Sequence, residues 1–189
     1  MAISLQKGQR INLSKEDGSS LKKIMAGLGW EPAKQGQAID CDASAILCGA
    51  NGKITRGEDL VYFGNLKHPS KAVMHSGDNL TGEGDGDDEQ IVVNLSEIPA
   101  IYEKIVFVVN IYQAKERAQH FGLIKEAFIR IVDCDSGKEI LCYNLSENYS
   151  NMTSIICAEV YLKDGLWKFN AIGQATQDAS LSELIKRYN

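Results

Sequence analysis

The chain has 189 residues and a formal net charge of −5, with 44% hydrophobic and 24% charged residues. These values are typical of a globular protein that can bury a core, and we expect one domain over residues 1–189. Lysine and arginine are not clustered, the N-terminus has no signal-peptide pattern, and no apolar run could span a bilayer. The composition therefore indicates a cytoplasmic protein that binds no nucleic acid and has no membrane span.

Most of the predicted elements are strands, rich in β-branched and aromatic residues. They cover Ala38–Leu47, Gln90–Leu95, Lys104–Tyr112, Ile124–Val132 and Ser154–Leu162. Two helices are predicted: a short one over Ser96–Lys104 capped by Ser96, and a terminal one over Asp178–Tyr188 capped by Asp178 or Ser180. Many short strands with few helices predict a mostly β fold, a β-sandwich of two sheets with short helices that include a C-terminal helix.

The segment from Gly77 to Glu89, GDNLTGEGDGDDE, holds six carboxylates and four glycines and no basic residue. Without it the chain has 20 basic and 19 acidic residues, so the acidity of the protein is local. Carboxylates and carbonyls without cysteine or histidine favour a hard cation, Ca²⁺ ahead of Mg²⁺. Glycines allow the tight backbone that points carbonyl oxygens at an ion.

The acidic segment does not have the glycine at position six that an EF-hand loop requires. A loop of this kind rarely completes a calcium shell alone, and Asp40 and Asp42 share one face of the strand Ala38–Leu47. We therefore expect a composite site built from a loop and a strand. The alternative is a solvated acidic loop that binds nothing.

Two further functions remain open from the residues alone. The pair Asp40 and Asp42, with the glycine-rich segment, is compatible with a metal-dependent protein or enzyme for a nucleotide or phosphorylated ligand, although a P-loop lysine is missing. Redox chemistry through Cys41, Cys48 or Cys142 is the other possibility. Their strand context favours buried thiols of low reactivity instead.

Three sequence features together resemble the TerD family of bacterial tellurium-resistance and stress-response proteins. They are the acidic segment, DCDAS from Asp40 and GLGW from Gly27 to Trp30, and the resemblance extends over nearly the whole chain. It implies a β-sandwich with calcium at one end and no enzymatic activity. The metal ligands that it implies are Asp40, Asp42, Asp78, Asp85, Asp87, Asp88 and Glu89, with Leu80, Gly82 and Gly84 as carbonyl donors.

The resemblance also predicts a function, which is calcium binding by a non-enzymatic protein associated with tellurite resistance. Two Ca²⁺ ions are expected as cofactors. The ions would order the acidic segment and so present a surface to other proteins of the same stress-response system. Neither the residues nor the resemblance indicates an oligomeric state.

Overall fold

The computed structural model describes residues 2–32, 38–77, 86–145 and 147–189. These residues form twelve strands and a short helix, α1 (Leu181–Leu184). In chain order the strands are β1 (Ile3–Leu5), β2 (Arg10–Asn12), β3 (Lys23–Pro32), β4 (Cys41–Cys48), β5 (Leu60–Val61), β6 (Val73–His75), β7 (Glu89–Asn94), β8 (Lys104–Ile111), β9 (Ile124–Asp133), β10 (Glu139–Asn144), β11 (Ser154–Lys163) and β12 (Leu166–Thr176).

The strands form two six-stranded sheets, as predicted. Sheet A has the order β1-β10-β9-β3-β7-β6, and sheet B has the order β2-β12-β11-β8-β4-β5. Neighbouring strands are antiparallel except β1 and β10, which pair in parallel. The hairpin predicted at Asp164-Gly165 joins β11 to β12, and both turn residues have positive φ, 55° and 74°. A two-residue turn of this kind matches the twist of the strands that it connects.

The core lies between the sheets, and in β7 it follows the alternation of the strand. Ile91 and Val93 are fully buried, while Gln90, Val92 and Asn94 are half-buried. In β4, Ala43 and Ala45 contribute to the same core. Each fully buried isoleucine or valine contributes about 1.5–3 kcal/mol to stability, so these alternating side chains hold the two sheets together.

The outer face of β4 is also buried, because the C-terminal helix covers it. Ile46 and Cys48 pack in a second apolar cluster with Leu184 of α1. The Ser180 side chain caps α1 by accepting from the Glu183 N–H at 3.3 Å, which is one of the two caps predicted. The helix is shorter than predicted, since a 3₁₀ turn, Ile185–Tyr188, replaces its second half. No helix within the described ranges is long and apolar enough to cross a membrane.

The helix predicted over Ser96–Lys104 is wrong. A single 3₁₀ turn, Leu95–Glu97, is present there, and Asn94 rather than Ser96 occupies its cap position. Ser96 instead donates to the Asn94 side chain at 2.8 Å. Within the segment Tyr102 is buried, Ile98 is partly buried against the core and Ile101 is exposed, so its apolar residues do not form one helical stripe.

A buried polar network supports the turn before β5. The Asp59 carboxylate is completely buried and accepts hydrogen bonds from Thr55, Arg56 and Tyr102. His68 Nε2 lies 3.4 Å from the same carboxylate. Burial alone would raise the pKa of Asp59, but these donors hold it well below its usual range. Burial lowers the pKa of His68, so the network keeps an ionised aspartate beside a neutral imidazole.

Candidate metal centre

Both described ends of the acidic segment lie beside the start of β4. At the upstream end, the Gly77 N–H donates to His75 Nδ1 at 3.0 Å, and His75 Nε2 lies 3.1 Å from the Ala43 carbonyl oxygen. At the downstream end, Glu89 Oε2 accepts from the Ala43 N–H at 2.7 Å. Ala43 directly follows Asp42, so His75 and Glu89 lie next to one of the predicted strand ligands.

Glu89 and His75 occupy the place that a neighbouring strand would take beside Ala43. Strand β5 pairs with β4 only at Ala45 and Ile46, which leaves the Ala43 peptide beyond the paired region. An unpaired peptide group in the interior is costly, and the two side chains satisfy it. Since Nδ1 of His75 accepts a hydrogen bond, we assign the proton to Nε2, which donates to the Ala43 carbonyl and the Glu89 carboxylate.

Asp40 and Asp42 are both buried at the same end of the sandwich, at 6% and 4% exposure. Asp42 Oδ2 accepts from Asn110 Nδ2 of β8 at 3.2 Å. Asp40 Oδ2 accepts from Arg117 Nη1 at 3.2 Å, so a basic side chain already neutralises part of its charge. These oxygen donors fit a hard cation, and Arg117 is a partner that nothing in the sequence indicated.

Asp87 lies on the outer face of sheet A, away from Asp40 and Asp42. Its carboxylate makes a bidentate ion pair with Arg130 at 2.7 and 2.9 Å, and it also accepts from Gln90 Nε2 at 3.2 Å. The Asp87 side chain has no exposed area, whereas that of Arg130 is 31% exposed. The pair raises the pKa of the Arg130 guanidinium above its already high value. In this conformation the Asp87 carboxylate is held against sheet A.

The GLGW motif explains how this ion pair fits against sheet A. A Cβ on Gly27 would fall on the Asp87 carboxylate, and a Cβ on Gly29 would meet the Phe128 ring and lie 2.9 Å from the Gly86 carbonyl oxygen. Both glycines therefore leave room for groups that lie flat on β3. Trp30 of the same motif is buried, and its indole N–H donates to the Ile39 carbonyl at 3.2 Å.

Asp88 lies between Asp87, which pairs with Arg130 on the outer face of sheet A, and Glu89, which contacts Ala43 in the interior. Its N–H donates to the Leu28 carbonyl at 2.9 Å, and its Oδ2 accepts from the Trp30 N–H at 2.7 Å. Burial raises the pKa of Asp88, the hydrogen bond from Trp30 opposes that effect, and the charge of Glu89 adds to it. The three consecutive acids Asp87, Asp88 and Glu89 thus face the outside of sheet A, the edge of β3 and the interior, respectively.

The other predicted ligands, Asp78, Leu80, Gly82, Gly84 and Asp85, lie outside the described residues. Across residues 2–32, 38–77, 86–145 and 147–189, no group of three or more histidine, cysteine, aspartate or glutamate side chains is placed to hold a metal ion. The described carboxylates therefore form an incomplete donor set.

The cysteines have the environments of packing residues. All five, each in the described part of the chain, are free thiols, and Cys41, Cys48 and Cys157 are buried. Burial, with smaller contributions from Asp42 and Asp40, raises the pKa of Cys41 well above its usual value. Burial likewise raises the pKa of Cys48 to about 11. Thiolates are the reactive form of cysteine, so these environments disfavour redox chemistry at Cys41 and Cys48.

The fold and the acidic end of the sandwich together define a two-sheet β protein with a carboxylate-rich segment anchored at one edge. Comparison with known proteins supplies the family. The profile of the TerD domain matches residues 1–188, and the chain belongs to the TerD family.

Individual relatives extend over the whole chain. It is 49% identical to the stress response protein SCP2 of Bacillus subtilis (strain 168), over all of both chains. It is 44% identical to a tellurium resistance protein TerD of an Alcaligenes species, covering 92% of this chain and 90% of the relative. A crystal structure of a homologue of the telluride resistance protein TerD from Streptomyces coelicolor A3(2) shares the fold, with a TM-score of 0.65 at 18% identity, covering 87% of this chain and 98% of that one.

Proposed function

We propose that this protein is a calcium-binding, non-enzymatic member of a bacterial stress response associated with tellurite resistance. The ion would hold residues 78–85 against β4, and the ordered segment would present a surface to other proteins of the same system. The observation that carries the proposal is the hydrogen bond from the Ala43 N–H to Glu89 at 2.7 Å. It fixes the end of the acidic segment beside Asp40 and Asp42, which are the ligands expected from the strand.

The donor chemistry at this end of the fold supports calcium over a transition metal. Asp40, Asp42 and Asp88 supply carboxylate oxygens, and hard cations prefer oxygen donors. Both ring nitrogens of His75 are engaged in hydrogen bonds within the fold. The Cys41 thiol has a raised pKa, which disfavours the thiolate that softer metals select. When bound, Ca²⁺ would supply charge neutralisation and a fixed geometry for the segment.

The names of the relatives support the biological part of the proposal. Two of them are called stress response protein and tellurium resistance protein, and both align over nearly their whole length. Asp40, Asp42 and Asp88 are held in place by Arg117, Asn110 and the Trp30 N–H, respectively. Carboxylates that bind metal ions are usually hydrogen-bonded in this way, which supports a binding module.

Calorimetric titration of the metal-stripped protein with CaCl₂ tests the proposal. We expect saturable binding of two ions and a higher melting temperature. Each site occupied at a hundredfold excess over its Kd would add about 2.7 kcal/mol, or roughly 5–10 °C for a chain of this size. A titration without binding heat and an unchanged melting temperature in CaCl₂ would contradict calcium binding.

Variants of the predicted ligands locate the site. Asp40→Asn with Asp42→Asn should weaken calcium binding and remove most of the thermal shift, and so should Asp78→Asn with Asp85→Asn. The matched control is Asp164→Asn, in the exposed turn between β11 and β12, which should bind calcium like the parent protein. If both double variants retained the calcium affinity of the control, the composite site would be wrong. Cells that carry the double variants should also lose the tellurite tolerance that the parent protein supports.

A further inference from the structure

A row of six side chains crosses the outer face of sheet A, one from each of six neighbouring chain segments. In β6, β7, β3 and β9 the residues on either side of the row member are buried, as Ile24 and Ala26 are beside Met25. Strand pairing places the row members side by side on one face. In order across the sheet, this cross-sheet row consists of Lys67, Met74, Val92, Met25, Val132 and Glu139.

The four central members of the cross-sheet row are apolar. They lie on four adjacent strands and are partly exposed, and they are Met74, Val92, Met25 and Val132. A contiguous apolar strip on the outside of a fold marks a surface that binds another molecule. Methionine is also enriched in the contact surfaces between proteins. The centre of the row therefore has the composition of a protein interface.

The two ends of the cross-sheet row carry opposite charges. Lys67, beside the edge strand β6, is exposed. The side chain of Glu139, at the start of β10, is 33% exposed, and its Oε2 accepts from Arg130 Nη1 at 3.0 Å. Five strand spacings of about 4.8 Å separate the two ends by about 24 Å within one molecule. An apolar centre between a cation and an anion is complementary to a second copy that meets it in reverse order.

A two-fold axis parallel to the strands, between β7 and β3, would produce this reversed order. The sheets of two copies would then pack face to face with aligned strands about 10 Å apart, as the sheets within a β-sandwich do. Each contact would occur twice, as in every isologous interface. The contacts between the copies would be Lys67 with Glu139, Met74 with Val132, and Val92 with Met25.

We propose that the outer face of sheet A binds a second copy of this chain and forms a face-to-face homodimer about this axis. Glu139 keeps Arg130 and also receives the partner's Lys67, because a carboxylate can accept several hydrogen bonds. The row with one residue on either side measures about 24 by 14 Å, which is less than the roughly 800 Å² per partner of a standard interface. The dimer is therefore weak, with an expected Kd of about 10–500 μM. None of the six row residues is a predicted metal ligand, so dimerisation goes beyond the calcium site and does not depend on it.

Sedimentation velocity of the full chain as purified, from about 5 μM to about 1 mM, measures the monomer–dimer equilibrium. A carbodiimide can then join Lys67 to Glu139 through an amide bond in the dimer. Because these side chains lie about 24 Å apart within one chain, that cross-link can form only between copies. A mixture of unlabelled and isotope-labelled chains should give the mixed cross-linked peptide. A chain that stays monomeric over this concentration range, or a dimer that lacks this peptide, would overturn the proposal.

Variants of the cross-sheet row distinguish this face from other surfaces. Met25→Lys places like charges near the axis and should weaken the dimer at least about tenfold, while the aliphatic stem of lysine still covers the sheet. Lys67→Glu should weaken it at least about threefold, and adding Glu139→Lys should recover most of that loss. The matched control Leu166→Lys puts the same charge on an exposed apolar residue of sheet B and should leave the Kd unchanged. An unchanged Kd in both Met25→Lys and Lys67→Glu would refute the assignment, while calcium titration of these variants reports on the metal site separately.

Discussion

The ion pair between Asp87 and Arg130 gives the sharpest test of how the acidic segment is used. The sequence groups Asp87 with the metal ligands, but the structure places its carboxylate against sheet A, in a bidentate contact at 2.7 and 2.9 Å. The substitution Asp87→Asn keeps the size of the side chain and removes its charge. If the carboxylate belongs to the fold, the variant is less stable whether or not calcium is present.

The expected loss follows from the burial of the two partners. Breaking a fully buried ion pair costs about 3–5 kcal/mol. Arg130 is 31% exposed and keeps Glu139 at 3.0 Å, so its charge remains partly solvated and partly paired after the substitution. The amide oxygen of asparagine can also still accept one hydrogen bond. We therefore expect a loss of about 1–3 kcal/mol, close to the value for a hydrogen bond to a charged group.

Urea unfolding measures this loss without the ionic screening that guanidinium would add. A double-mutant cycle with Arg130→Met should give a coupling energy of about 1–2 kcal/mol between the two residues. Glu139→Gln is the matched control, since it removes the partly exposed partner of the same arginine and should cost less than about 1 kcal/mol. A loss seen only in calcium and absent from the metal-stripped protein would refute the reasoning and identify Asp87 as a ligand.

Three further outcomes test other parts of the fold. Gly27→Ala places a methyl group on the buried carboxylate that lies over this glycine, and it should destabilise the protein by about 1–3 kcal/mol in the same urea assay. A thiol reagent should modify Cys134 and Cys142 in the native protein and all five cysteines only after unfolding, so rapid native reaction of the buried thiols would contradict their assigned environments. Because burial lowers the pKa of His68 below 6.5, the unfolded chain binds its proton more readily, and the free energy of unfolding should fall as the pH drops below about 6.5. His68→Gln should flatten that pH dependence and the control His120→Gln should preserve it.

The sheets could be predicted because their strands are short runs of β-branched and aromatic residues. The predicted strand Lys104–Tyr112 corresponds to β8 (Lys104–Ile111), and the predicted strand Ser154–Leu162 corresponds to β11 (Ser154–Lys163). This enrichment is a local property, so one sequence reveals it. The false helix over Ser96–Lys104 had a suitable cap residue and an acidic first turn. The segment forms only one 3₁₀ turn, Leu95–Glu97, so those weak local preferences did not decide its structure.

The site could be predicted only in part, for a physical reason. The sequence indicated that the acidic segment and the pair Asp40 and Asp42 would meet. The structure places Glu89 against the backbone of Ala43, next to Asp42, and the shared ligand set stays a prediction. From the sequence alone, Asp87 and Glu89 could not be given different roles, because both are acidic residues of the same segment. Their difference depends on Arg130, which lies 43 positions along the chain from Asp87 and reaches it only through strand pairing in sheet A.

The contact of Glu89 and His75 with Ala43 also affects how this protein meets other chains. An uncovered strand edge can recruit a strand from another molecule, which is a common route to aggregation. At the start of β4, the two side chains occupy the backbone groups on which such a strand would depend. The same carboxylate that anchors the acidic segment therefore also blocks edge-to-edge association at that position. A substitution of Glu89 would leave the Ala43 N–H at the edge of β4 free to pair with a strand of another chain. It would also remove the hydrogen bond that anchors the acidic segment.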